Sequence, residues 1–89
     1  MTQIKDLDKL KNLTKNELNV LLELLKISDQ ENNIFFNNNE REVIAENLDI
    51  SRNGLTKSIL SLQNSKKLLT KRNDFFYILN KDVFSSSNN

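Results

Sequence analysis

The sequence predicts a small, mostly helical α+β domain, with three to four helices followed by a β-hairpin. Three observations carry this. The 89 residues include no proline and a single glycine, Gly54, a composition that suits long helices and disfavours a turn-rich all-β fold. Apolar residues recur at three- and four-residue spacing from Ile4 to Leu62. From Leu68 onward the pattern changes to two short β-prone runs on either side of Asn73-Asp74. The length suits one domain, read as residues 1–84, with a polar tail at 85–89 expected to be disordered.

Taken in order, Thr2 to Leu13 places Ile4, Leu7 and Leu10 three apart and reads as a short amphipathic helix within residues 1–13. Thr14-Lys15-Asn16-Glu17 has the T-x-x-E form of a capping box. Leu18, Leu21, Leu22 and Leu25 follow as a helical stripe, and Val20, Leu24 and Ile27 form a second stripe beside it. That apolar face is wider than one packing contact needs. Ile34-Phe35-Phe36 reads as a short edge strand. Asn39-Glu40-Arg41-Glu42 is a second capping pattern, opening a helix that carries Val43, Ile44, Ala45 and Leu48. Ser51 caps the next helix, whose inner face carries Leu55, Ile59 and Leu62. Its outer face carries Arg52, Asn53, Thr56, Lys57, Gln63 and Asn64. Strands 68–72 and 75–79 form the hairpin around an Asn73-Asp74 turn, a register that sets Leu69 opposite Ile78 and Thr70 opposite Tyr77.

Composition excludes several classes of function. With no cysteine there is no disulfide or thiolate site, and with no histidine the commonest general base and zinc ligand are missing. Ser58, Ser61 and Ser65 have nothing to activate them, and Glu40, Glu42 and Glu46 show no metal-site pattern. No glycine-rich phosphate loop is present. An enzyme is not expected, nor a cofactor, a metal or a small-molecule ligand. No apolar run approaches 18 residues, so no membrane span is expected. Lys5, Asp6, Asp8 and Lys9 make the start unlike a signal peptide, so the expected location is cytoplasmic.

The charge is +1 overall but is unevenly distributed. Residues 1–50 hold six basic and ten acidic side chains, a net of −4. Residues 51–89 hold seven and two, a net of +5. Such asymmetry marks a polyanion-binding end. The segment Val43 to Leu62 then has the physical form of two short helices interlocked across a tight turn. Ala45 is small at the crossing, Ile50 plugs the turn, and Leu55 and Ile59 close the core. The second helix of such a pair can present its first polar residues to the major groove.

The string I-A-E-N-L-D-I-S-R-N-G-L-T-K-S-I-L-S-L, residues 44–62, resembles winged helix-turn-helix regulators: I-A, then L-x-I-S-R, an apolar residue, then I-x-x-L. The hairpin and exit, F-F-Y-I-L-N-K-D-V-F, resemble the RepL-type replication-initiation proteins of Firmicute plasmids, and are compatible with MarR-like regulators. The resemblance spans roughly residues 14–84. It implies a helix-turn-helix over 39–65, a wing over 68–79, and sequence-specific binding of double-stranded DNA in plasmid or phage replication initiation or transcription control. Two positions depart from the pattern. Asp49 replaces the usual glycine, so the turn needs a left-handed aspartate. Gly54 stands where Thr or Val is common, and weakens the helix by up to about 1 kcal/mol relative to alanine.

These readings give candidate residues. Ser51, Arg52, Asn53, Thr56 and Lys57 are the expected recognition-helix contacts. Lys66, Lys67, Lys71, Arg72 and Asn73 are the expected wing and backbone contacts. Each admits a plainer reading as a solvated charge or cap; the grouping of Arg52 and Lys57 at the start of one helix favours DNA. Phe75, Phe76 and Tyr77 suit stacking on single strands, but suit a small core better. A homodimer is expected, because one recognition helix reads few base pairs. Its candidate surface is Ile4, Leu7, Leu10, Val20, Leu24 and Ile27. In the competing arrangement the first segment folds back over that stripe within one chain. A function of another class stands beside DNA binding: a winged-helix protein-interaction module, either an adaptor or a phage-encoded inhibitor of host machinery.

Overall fold

The computed structural model describes residues 2–4 and 6–86, which form an α+β fold, mostly helical. Its elements are β1 (Thr2–Ile4), a 3₁₀ turn (Leu7–Leu10), α1 (Lys15–Ile27), β2 (Asn33–Phe35), α2 (Asn38–Leu48) and α3 (Arg52–Leu60). A π-type turn (Ser61–Ser65) extends α3, and β3 (Leu69–Asn73), β4 (Phe76–Leu79) and β5 (Phe84–Ser86) follow. β2, β4 and β3 form an antiparallel sheet in that order, and β1 pairs with β5 in a separate two-stranded sheet.

α1 starts on the capping box that its sequence predicts. Thr14 Oγ1 accepts from the Glu17 amide at 3.1 Å, and Glu17 Oε1 accepts from the Thr14 amide at 2.8 Å. α2 begins two residues earlier than expected. Its cap is Asn37, whose side chain accepts from the Glu40 amide at 3.0 Å. The capping backbone must be extended, and of the three consecutive asparagines only Asn37, leaving β2, has that geometry. The turn into α3 is the expected left-handed aspartate: Asp49 has φ 55° and ψ 48°. Its amide and that of Ile50 close back onto the last carbonyls of α2, so this turn stops α2 without glycine. Ser51 Oγ accepts from the Gly54 amide at 3.0 Å and starts α3.

Three expectations are corrected. The first segment is not one helix: β1 lies against β5, and only Leu7–Leu10 coil, as a 3₁₀ turn. A three-residue apolar spacing matches the 3₁₀ period better than the α period. Ser85 and Ser86 are not a disordered tail but lie in β5, with Thr2 opposite Ser86; residues 87–89 lie outside those described. The hairpin register differs by one residue. Leu69 pairs with Leu79 and Thr70 with Ile78, and a bulge between Lys71 and Asn73 moves the turn to Asp74-Phe75. This register puts two core leucines directly opposite each other; the expected one would have set Leu69 against Ile78, which is only partly buried.

α1 is the central helix, packing against α2, α3, β2 and the π-type turn. That explains its wide apolar face. Val20, Leu21 and Leu24 are fully buried among Phe36, Ile44, Leu55, Leu62 and Phe84. Asn32 sits at φ 67°, also buried. It donates from Nδ2 to the Phe84 carbonyl at 2.9 Å, while its own carbonyl takes the Leu79 amide.

Glu17, only 5 % exposed, joins the start of α1 to the end of α3 by accepting from the Ser61 hydroxyl. Burial alone would raise its carboxyl. The Ser61 and Thr14 hydrogen bonds and the charge of Lys66 outweigh burial, and hold the group below the ordinary 4.5. A carboxyl with a lowered folded-state pKa contributes stability that is complete above its unfolded value and is lost as pH falls through the folded one. The expected result is a loss of thermal stability on acidification below about pH 4.5, flattened in Glu17→Gln. Melting temperature measured from pH 6 to pH 3 checks this; parallel curves for the two proteins would refute it.

Candidate nucleic-acid interface

α3 is buried along Leu55, Ser58, Ile59 and Leu62 and exposed along Arg52, Asn53, Thr56, Lys57, Leu60 and Asn64. At 100° per residue, Asn53 and Leu60 lie along the middle of the exposed arc, and Asn64 is exposed on the π-type turn that follows. Arg52 and Thr56 flank one side, and Lys57 flanks the other. Lys57 and Gly54 border a cleft against the start of α1, with Thr14 and Asn16 across it. Gly54 therefore lies off the exposed stripe. A Cβ there would stand 3.3 Å from Ser51 Oγ, the atom that caps the helix.

Ser51 is occupied as the cap. Arg52 leans back to Glu42 of α2, Nη1 to Oε1 at 3.8 Å, with both side chains more than half exposed. A pair so exposed is worth at most about 1 kcal/mol, so the guanidinium is readily released. Glu42, Glu46 and Asp49 line one concavity with Arg52. The surface around the start of α3 is thus acidic, with Arg52 projecting from it.

The other end of α3 is basic. A groove of about 650 Å³ runs between the π-type turn and the hairpin, lined by Gln63, Asn64, Lys67, Lys71, Arg72 and Lys81 among others. The outer stripe of α3 continues into it through Gln63 and Asn64. Lys67 is placed there by a left-handed backbone, φ 60°, and its carbonyl accepts from Asn80 Nδ2 at 2.7 Å. Lys71 makes a loose pair with Asp74 at 3.6 Å, and Arg72 is exposed beside the bulge. Asn73 shapes the turn, its side chain accepting from the Phe75 amide at 2.9 Å.

The structure therefore brings Lys67, Lys71 and Arg72 together and sets Lys66 apart. Lys66 donates to the Asn12 carbonyl at 3.0 Å and faces Glu17, tying down the first segment. Lys81, Thr70 and Asn80 line the groove but were not singled out by sequence; their only sequence cue was the general basicity after residue 50. The same holds for Leu60, an apolar residue 47 % exposed on a polar face. Of the aromatics, Tyr77 is core, packed edge-to-face on Phe36. Its hydroxyl accepts from Arg41, whose guanidinium lies 4.6 Å from the centre of the Phe36 ring.

The expected dimer surface is corrected. Val20 and Leu24 are 0 % and 1 % exposed, because α2, α3 and β2 cover that side of α1. Leu10 packs against the same core, as in the fold-back arrangement. Ile4 and Ile27 keep about a third of their surface, and the Leu7 side chain lies outside what the structure describes. The outward apolar residues of α1 are Ile27, which was expected, and Leu18 and Leu22, which were not.

Among the described residues no group of acidic side chains is placed to hold a metal ion, and no helix is long and apolar enough to cross a membrane. Comparison with protein-family models, with curated proteins and with solved structures returns no match for this chain.

Proposed function

We propose that this chain is a winged helix-turn-helix domain that binds double-stranded DNA sequence-specifically, in replication initiation or transcription control. α3 is the recognition helix and the β3–β4 hairpin is the wing. The observation that carries the reading is the continuity of the exposed polar stripe of α3 with the basic groove of Lys67, Lys71, Arg72 and Lys81. A helix that reads bases needs phosphate contacts beside it to fix its register. Arg52, with Glu42, Glu46 and Asp49 on the same side to repel phosphate, is suited to base edges, and the groove cations to the backbone.

Binding as a homodimer belongs to the same proposal, on a surface different from the one expected. Leu18 and Leu22 stand exposed one turn apart on α1. An antiparallel two-fold pairing of α1 centred between them sets Leu18 of each copy against Leu22 of the other.

The test is selection of bound sequences from a random duplex pool, followed by titration in salt. One enriched motif is expected, palindromic with half-sites about one helical turn apart. With four to six phosphates neutralised, log K should fall with log salt at a slope of roughly −4 to −5, or near −0.9 per phosphate. A flat salt response, or no retained duplex at low salt, would refute DNA binding.

A further inference from the structure

We infer that the middle of the exposed stripe of α3 reads A·T base pairs, and that Leu60 is a specificity-determining residue that packs on the 5-methyl group of thymine. The inference rests on the DNA-binding reading and adds the class of sequence recognised.

An exposed leucine by itself needs no explanation. The position of Leu60 does. It is 47 % exposed at the middle of the arc that α3 turns to solvent, with Asn53 two turns before it, Thr56 one turn before it and Asn64 one turn after it. It has no part in the core, whose α3 contribution is Leu55, Ile59 and Leu62. A polar or charged residue there would leave the fold intact.

The chemistry of the four uncharged residues of this stripe is selective. Guanine presents two acceptors in the major groove and is read best by Arg or Lys. Cytosine presents a donor and is read by Asp or Glu. The middle of the stripe has no charge of either sign. The cations of α3 stand at its edges: Arg52 in the first turn, where it meets a base outside the centre of the stripe, and Lys57 beside the cleft against α1. Adenine offers one donor and one acceptor side by side, the pattern that an asparagine carboxamide complements. Thymine offers a methyl group, the one apolar feature of the major groove, and leucine and the threonine methyl complement it. Asn53 and Asn64 match adenine and Leu60 matches thymine; the Thr56 methyl adds to the thymine contact, while its hydroxyl serves any base.

The test uses the full chain and the duplex enriched from the random pool. The enriched core should be A·T-rich. Each of its thymines is replaced in turn by uracil, which keeps every hydrogen-bonding group and removes only the methyl. At one or two positions the wild-type chain should bind about fourfold more weakly, the change that corresponds to burying one methyl group. Leu60→Ala should bind the thymine duplex more weakly by a similar factor and be indifferent to uracil at those positions. Its melting temperature, measured alongside, should match the wild type, because the residue is exposed and alanine favours helix. The uracil series on the wild type alone keeps the test independent of the variant. A G·C core, a wild type indifferent to uracil throughout, or a Leu60→Ala chain as sensitive to uracil as the wild type overturns the inference and leaves DNA binding standing. Failure to retain any duplex overturns the DNA-binding reading beneath it.

Discussion

Replacing both Lys71 and Arg72 by alanine should weaken binding to selected and random duplexes alike and reduce the salt slope by about two, one for each phosphate contact removed. The two side chains stand on the exposed tip of the hairpin, and Lys71 is held only by the loose 3.6 Å pair with Asp74. The fold should be undisturbed, since neither side chain is part of the core. Arg52→Ala should behave differently. It should cost about 1–3 kcal/mol on the selected duplex and little on random sequence, and relax one base position in a repeated selection. Glu42 restrains Arg52 by no more than an exposed pair can, so Glu42→Gln should leave that preference in place. Affinity measured for each variant on both duplexes at three salt concentrations decides the matter. If Arg52→Ala and the hairpin double variant lose affinity in the same pattern, the division between base-reading and phosphate-holding ends of α3 is wrong.

The second large effect is on folding. Leu24→Glu should abolish cooperative unfolding, whereas Leu22→Glu, two residues away, should melt within a few degrees of the wild type. Leu24 is 1 % exposed and Leu22 45 %. Truncating a buried leucine to alanine costs about 2–5 kcal/mol, and an unpaired buried carboxylate costs more. A domain of this size has of the order of 5–13 kcal/mol in total. Thermal melts followed by circular dichroism separate the two variants. A folded Leu24→Glu chain would mean that this side of α1 faces solvent.

The contrast between Leu22 and Leu24 shows where sequence reasoning reached its limit. Both stripes of α1 were visible as period and hydrophobicity, but which members of each face the core depends on the elements that surround the helix: Leu21 is buried with Val20 and Leu24, and Ile27 is exposed with Leu18 and Leu22. The local devices were legible because their physics is local. The Thr14 capping box, the Ser51 cap and the left-handed Asp49 are each decided within four residues. β1 was not legible, because three residues pair with a strand some eighty positions away and carry no period of their own. The hairpin register was missed for a subtler reason. Asn73-Asp74 has the composition of a two-residue turn, but neither residue takes a positive φ, and the bulge beside Arg72 lets Leu69 meet Leu79. At the candidate site, charge grouping identified Lys67, Lys71 and Arg72 as a set. It could not show that Lys66, their neighbour in sequence, turns inward to Asn12.

The opposite charges at the two ends of α3 have a consequence for the approach to DNA. From Arg52 to Ser65 the helix and its extension span roughly 20 Å at 1.5 Å per residue. Glu42, Glu46 and Asp49 stand at one end and Lys67, Lys71 and Arg72 at the other. In the field of a polyanion this arrangement experiences a torque. On the proposed reading the hairpin end lands first and acts as a pivot, while the start of α3 is held off the phosphate rails. It swings down only where the groove opens to the bases. Sliding contact and reading contact would then be two postures of one molecule, and the carboxylates around Arg52 would set how readily it passes from the first to the second.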